Sequence, residues 1–169
     1  MVDEHDNAIG FMDKMEAHRK GLLHRAFSIF IFNSRGEMLL QQRALNKYHS
    51  AGLWSNSCCS HPFPGEEIKD AASRRLNEEL GFETSLEKIF DFIYRASFEN
   101  GLVENEFDHV FVGHYDGNMK INAEEVNDYV FKPMEQIRLE LKNRPEIYTE
   151  WFKISFPKME TWWQRHFVR

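Results

Sequence analysis

Between Ser60 and Phe82 the chain reads SHPFPGEEIKDAASRRLNEELGF, and the spacing of this stretch decides the architecture. Ala72, Leu76 and Leu80 recur at i, i+4 and i+8, which predicts an amphipathic helix from Glu66 to Leu80, with Gly81 as its C-terminal cap. Ile68, Ala72, Arg75 and Glu79 fall along one flank at steps of three and four, so Glu79 borders the buried stripe and does not face water. Two readings of Arg75 and Glu79 follow. They form an i, i+4 ion pair worth tenths of a kcal/mol, or Glu79 holds a hard cation, as carboxylates in phosphate-processing sites do.

Working outward, strands surround this helix. Ala26 to Asn33 is dense in Phe and Ile and stops at Asn33-Ser34-Arg35-Gly36, a turn cluster before a second apolar run from Met38 to Gln42, which predicts a hairpin. Trp54 to Cys59 reads as a short strand. Lys88 to Phe98 and Leu102 to Tyr115 read as a strand pair around Glu99-Asn100-Gly101, and Tyr129 to Phe131 as one more strand. Helices are expected over Gly10 to Lys20, with Lys14 and His18 on one face, from Pro133 to about Lys142, and from Pro145 to the end with a break at Pro157. The fold class is α+β, a mixed sheet with helices packed on it. No repeat or linker divides the chain, so residues 1–169 read as one domain.

Composition narrows the function. A formal net charge of −6 argues against nucleic acid as a partner, because such partners call for a basic field. There is no run of 18 apolar residues, and Met1 to Gly10 is polar, so neither a membrane span nor a secretory signal is expected and the protein reads as soluble and cytoplasmic. Fifteen Phe, five Tyr and four Trp exceed what a core of this size needs, which suggests a site for an apolar ligand. The two cysteines, Cys58 and Cys59, are adjacent and read as free thiols.

Several residues could carry chemistry. Along the strand Leu102 to Tyr115, Glu104, Glu106 and Asp108 point one way, and Val103, Asn105 and Phe107 the other. The Cβ atoms of Glu104 and Glu106 would stand roughly 7 Å apart, close enough to hold one cation or share one proton, although a solvated acidic face has the same spacing. His18, His24 and His61 could join them in a five-ligand N/O set that suits zinc, manganese or iron better than magnesium. Cys59 lies in the small-residue turn Ser57-Cys58-Cys59-Ser60-His61-Pro62, where a thiol can give and take protons or can serve as a small buried hydrophobe.

The pattern Ser60-x5-Glu66-x7-Arg74-Arg75-Leu76-Asn77-Glu78-Glu79-Leu80-Gly81-Phe82 resembles the Nudix box, a helix that binds diphosphate through metal. Ser60 replaces the box's first glycine and Arg75 replaces one of its glutamates, which counts against Nudix pyrophosphohydrolysis. Leu23-His24-Arg25-Ala26-Phe27-Ser28, Gln42-Arg43-Ala44-Leu45-Asn46-Lys47, Gly52-Leu53-Trp54-Ser55-Asn56-Ser57, Cys59-Ser60-His61-Pro62, Tyr94-Arg95-Ala96 and Val103-Glu104-Asn105-Glu106 extend the likeness from His18 to Trp151. Together these blocks resemble the type I isopentenyl-diphosphate isomerases.

The resemblance implies a Nudix-like α/β/α sandwich acting on a small isoprenoid diphosphate, as a monomer or weak dimer. It implies that His18, His24, His61, Glu104 and Glu106 ligate a divalent metal, Mn2+ or Zn2+, and that Glu79 helps hold Mg2+ on the substrate diphosphate. Lys14, Arg43, Lys47 and Arg75 match diphosphate-binding positions. Cys59 and Glu106, the latter assisted by Tyr94, match the two proton carriers, and Trp151 matches a ring facing the developing carbocation. A Nudix pyrophosphohydrolase and a non-catalytic module that binds isoprenoid diphosphates are the competing readings.

Overall fold

The central strand explains the rest of the sheet. The computed structural model describes residues 1–98 and 100–167, and in it β1 (His24–Phe32) is buried along almost its whole length. Because side chains alternate, Phe27, Ile29 and Ile31 project to one side and Phe30 and Phe32 to the other, so both faces must be covered. β1 pairs in parallel with β6 (Val103–His114) from His24↔Glu106 to Phe32↔His114, and β6 pairs antiparallel with β5 (Glu87–Ser97).

The expected hairpin holds at its turn. Asn33 Oδ1 accepts from the backbone N–H of Arg35 and of Glu37, each at 3.0 Å, and Gly36 takes a φ of 72°. Beyond Phe32↔Met38, however, β2 (Met38–Arg43) parts from β1, and the segment expected as one strand enters as two. β3 (Trp54–Ser55) pairs with β2, whereas β4 (Cys58–Ser60) pairs with β1 at Ser28↔Cys59. Asn56 and Ser57 make the crossing possible by replacing lost ladder bonds: Ser57 Oγ donates to Leu39 O at 2.8 Å and accepts from Ile31 N–H at 2.9 Å. β7 (Val126–Lys132) is longer than the expected Tyr129 to Phe131 because it pairs along all of β2.

The box helix α2 (Ile68–Leu80) covers one face through Ala71, Ala72, Leu76 and Leu80. The other face is covered by α3 (Met134–Asn143) and α4 (Glu150–Phe167), the latter through Trp151, Phe152, Phe156 and Met159. This is the expected α+β class in its α/β/α sandwich form.

Two helix bounds differ from expectation. α1 (Lys14–Lys20) starts later than Gly10, because Asp13 caps it, its side chain accepting from Glu16 N–H, and the preceding residues close a small turn through a Val2↔Ala8 bridge. α4 does not break at Pro157. That proline lies on the exposed face, where the carbonyl deprived of its N–H partner can turn to water, while Phe156 and Met159 anchor the helix from below. Glu99 of the expected Glu99-Asn100-Gly101 turn, and Val168 and Arg169 of the expected terminal helix, lie outside the described residues.

Leu76 is 0% exposed between α2 and the sheet, while Leu139 on α3 is 50% exposed. Leu76→Ala should therefore lower the free energy of unfolding by about 2–5 kcal/mol, and Leu139→Ala by less than about 0.5, as read from urea denaturation.

Candidate active site

Three strands and a short helix deliver four donors to one point. The parallel register sets His24 on β1 beside Glu106 on β6, β4 carries His61 in from the other side of β1, and α1 places His18 above them. One ligand atom from each lies within 4.8 Å of all the others. His61 Nε2 is 2.9 Å from Glu106 Oε1, His24 Nε2 is 3.5 Å and His18 Nε2 is 3.9 Å from that same oxygen, and the Nε2 atoms of His24 and His61 are 3.2 Å apart.

This geometry suits a divalent cation. His24 Nδ1 lies 2.8 Å from Leu22 O, so that with a cation bound the ring can donate there and turn the Nε2 lone pair to the ion. His18 is 1% exposed, and neither ring nitrogen has a hydrogen-bond partner among the described residues. A buried donor set without partners is costly unless something occupies its focus. Burial, reinforced by the other two imidazoles, pushes His18 down to about 3, and burial pushes His61 down to about 4, so both rings are neutral and available as ligands near pH 7.

Of the five expected ligands, Glu104 stands apart from this quartet. Its Oε2 lies 3.0 Å from the Tyr94 hydroxyl, which also lies 2.6 Å from Glu106 Oε2. One phenol proton cannot serve two ionised carboxylates. Burial and the neighbouring charge of Glu106 push Glu104 up to about 8, whereas hydrogen bonds from His24 and His61 outweigh burial and hold Glu106 low. The result is a row in which Glu104 keeps a proton, Tyr94 donates and Glu106 stays ionised.

Cys59 reaches the same cavity, a space of about 40 Å³ that Ser28, Tyr94, Glu106 and Trp151 also line. Its thiol donates to Asn56 Oδ1 at 3.0 Å, and Ser28 Oγ is 3.5 Å from the sulfur. Asn56 is fixed, because its amide N–H groups are taken by Ile29 O at 3.1 Å and Cys58 O at 3.0 Å, leaving only its oxygen to face the thiol. Burial, with the Asp108 carboxylate adding to it, pushes the Cys59 thiol up, so it remains protonated. Trp151, at the start of α4, stacks against Arg43, whose guanidinium carbon is 5.0 Å from the ring centre.

Of the four expected diphosphate cations, Lys14 and Arg43 line the small cavity, Lys14 and Arg75 line a larger groove beside it, and Lys47 lines neither. Arg43 donates to His49 O at 3.3 Å, and Lys14 lies over the Tyr48 ring at 5.7 Å. Lys47 and Arg75 both contact Glu125, and Arg75 also lies 2.6 Å from Glu79, its i, i+4 neighbour on α2. Gln41 Nε2 donates to the other Glu79 oxygen at 3.0 Å. A groove of about 790 Å³ between the N-terminal segment and the loop before α2 shares Lys14, Ser60 and His61 with the small cavity.

Sequence reasoning missed Ser28, Asn56, His49 and Glu125. Ser28 was within reach, since it lies four residues after His24 on a strand and therefore on the same face. His49 and Glu125 belong to loops and carry no periodic signal.

Two outcomes follow from the quartet. Zinc or manganese at about 100 times its dissociation constant should stabilise the protein by about 2.7 kcal/mol in thermal unfolding, and His18→Ala and His61→Ala should abolish that gain. In metal-free protein, the folded imidazoles bind fewer protons than the unfolded ones below the usual 6.5. Stability should therefore fall as pH drops from 6.5 toward 4, and the urea midpoint measured across that window checks the sign.

Known proteins resemble this chain in sequence and in fold. The NUDIX domain family model matches residues 22–152. An isopentenyl-diphosphate Delta-isomerase 2 from Photorhabdus laumondii is 50% identical over 167 residues, covering 96% of this chain and 94% of its own. The isopentenyl-diphosphate Delta-isomerase 2 of Aromatoleum aromaticum is 52% identical over 151 residues, covering 89% and 80%. Among solved structures, the MutT protein of Methanosarcina mazei superposes with a TM-score of 0.67 at 21% identity, covering 82% of this chain and 94% of its own, a likeness of fold. The sheet, the altered box and these relatives together show that the chain belongs to the NUDIX-domain isopentenyl-diphosphate Delta-isomerases.

Proposed function

We propose that this chain interconverts isopentenyl and dimethylallyl diphosphate, the activity its family name carries, with Cys59 and Glu106 as the two proton carriers. One observation carries this assignment: the Cys59 thiol and the Glu106 carboxyl line one small cavity beside an aromatic wall. Moving a double bond requires one proton added to a terminal carbon and another removed from an allylic one, so an acid and a base must be present together. In the resting state Cys59 is the acid and Glu106 the base, and the pair exchanges roles when the reaction runs backward.

Tyr94 donates to Glu106 Oε2 and so fixes that carboxylate's orientation while leaving it ionised. Trp151, which lines the small cavity, is assigned as the ring that meets the developing positive charge, a contact worth about 2 kcal/mol when desolvated, or roughly thirtyfold in rate. Lys14, Arg43, Lys47 and Arg75 hold the diphosphate, with Arg75 presenting a forked donor and the lysines point charges.

His18, His24, His61 and Glu106 would hold the divalent ion, and Glu104, one hydroxyl away, is the acid available to complete the set. Three imidazoles and a carboxylate suit manganese or zinc, which when bound supplies fixed positive charge beside Glu106. Glu79 would hold Mg2+ brought by the substrate diphosphate. Against a pyrophosphohydrolase stands Arg75, a cation where that chemistry needs an acid. No described helix is long and apolar enough to cross a membrane, and we take residues 1–169 as one cytoplasmic domain, working as a monomer or weak dimer.

Proton NMR of isopentenyl diphosphate in deuterated buffer with magnesium tests the assignment. Wild-type protein should form deuterated dimethylallyl diphosphate, Cys59→Ala and Glu106→Gln should each lose at least about a hundredfold in kcat, and Trp151→Leu should lose roughly thirtyfold in kcat with KM little changed. Phosphate release without isomerisation would point to a hydrolase.

A further inference from the structure

The loop joining β2 to β3, Ala44 to Leu53, turns its side chains in opposite directions. Leu45 is 71% and Tyr48 46% exposed, yet the His49 side chain is only 6% exposed. The His49 ring stacks on Phe98 with centroids 4.8 Å apart at 27°, meets the Trp151 ring edge-on at 5.9 Å, and is itself met edge-on by Tyr48 at 4.4 Å. It thus fills the gap between the end of β5 and the start of α4, on the wall of the small cavity. The next residue, Ser50, has a φ of 51°, a left-handed conformation that a non-glycine residue holds only when its surroundings impose it.

We infer that His49 is the water seal of this site: its ring plugs the slot between Phe98 and Trp151 and keeps solvent from the carbocation. The inference rests on the reading of this cavity as the place where that cation forms. A tertiary cation is captured by any water that reaches it, so the site must stay dry throughout turnover. The slot is polar enough to hold water if opened, because the two ring nitrogens of His49 face Ser50 Oγ at 3.2 Å and Glu104 Oε1 at 3.7 Å, two polar partners that truncation of the ring would release. A buried water needs only about 10–15 Å³ and two to four polar partners, and truncating an imidazole to a methyl frees more space than that.

The same loop carries Lys47, which contacts Glu125. Seating of the diphosphate and sealing of the hydrocarbon end therefore fall to side chains two positions apart.

Opening the slot changes the product. The site acid protonates the terminal alkene carbon, the oxygen of a water molecule bonds to the tertiary cationic carbon, and that water loses a proton to Glu106 or solvent. The net reaction adds one H2O and gives the tertiary alcohol diphosphate, with no oxidation or reduction. The experiment incubates isopentenyl diphosphate with metal-loaded protein in 18O-labelled water, removes phosphate enzymatically and measures the 18O-labelled diol against the isomeric alkenols by mass spectrometry.

His49→Ala and, from the other side of the slot, Phe98→Ala should each raise the ratio of hydrated to isomerised product at least about tenfold over wild type, while His49→Phe, which refills the slot with an apolar ring, keeps the wild-type ratio. If both alanine variants retain their circular dichroism spectra and isomerise without added hydration, or if they stop isomerising and form no alcohol, the seal is wrong. A raised ratio in His49→Phe would also overturn it, by making the imidazole nitrogen rather than the plug the operative feature. Wild-type protein that forms no isomer would instead remove the reading of the cavity itself.

Discussion

Everything at the site depends on the parallel pairing of β1 with β6. The other pairings in the sheet are antiparallel, and only this one brings His24 level with Glu106 and Ser28 onto the face that Asp108 shares. Slipping the register by one residue would turn the whole acidic row of β6 to the opposite face. The hydrophobic residues farther along the same two strands resist that slip, because Phe30 and Val110 would then have to exchange layers with Phe27 and Phe111. The apolar half of each strand thereby holds the polar half in place.

The polar half is expensive to keep. Two glutamates, an aspartate and three imidazoles are withdrawn from water within a few ångströms of one another, an arrangement that costs folding free energy unless protons or cations offset it. The chain distributes the load by protonation: Glu104 retains a proton, Glu106 is satisfied by imidazoles and a phenol, and the His18 and His61 rings stay neutral. The same distribution leaves a protonated carboxyl and an ionised one side by side on β6, joined through a single phenol.

Much of this was legible in the sequence, and the residues show why. Period-two alternation put Glu104 and Glu106 on one face, period-3.6 spacing put Glu79 on the buried flank of α2, and four-residue spacing put Lys14 and His18 together on α1, because each regularity belongs to a single element. What required the structure depended on how elements meet. The split of Trp54 to Cys59 into β3 and β4, and with it the contact of Cys59 with Ser28, is decided by the divergence of β1 from β2. The separation of Glu104 from the quartet is decided by where Tyr94 on β5 sends its hydroxyl. Pro157 misled for a simpler reason: a proline's cost depends on whether the orphaned carbonyl faces water, which sequence does not display.

The parallel pairing also has a consequence for how the protein is made. Ser28 and Asp108 touch although 80 residues separate them, so the closing of this contact carries a large loop entropy and has no short hairpin to nucleate it. On the ribosome, β1 and the histidine it bears emerge long before their β6 partner. Until β6 is synthesised, the Phe- and Ile-rich β1 has an open edge, which is the interval in which the nascent chain is most exposed to misassociation.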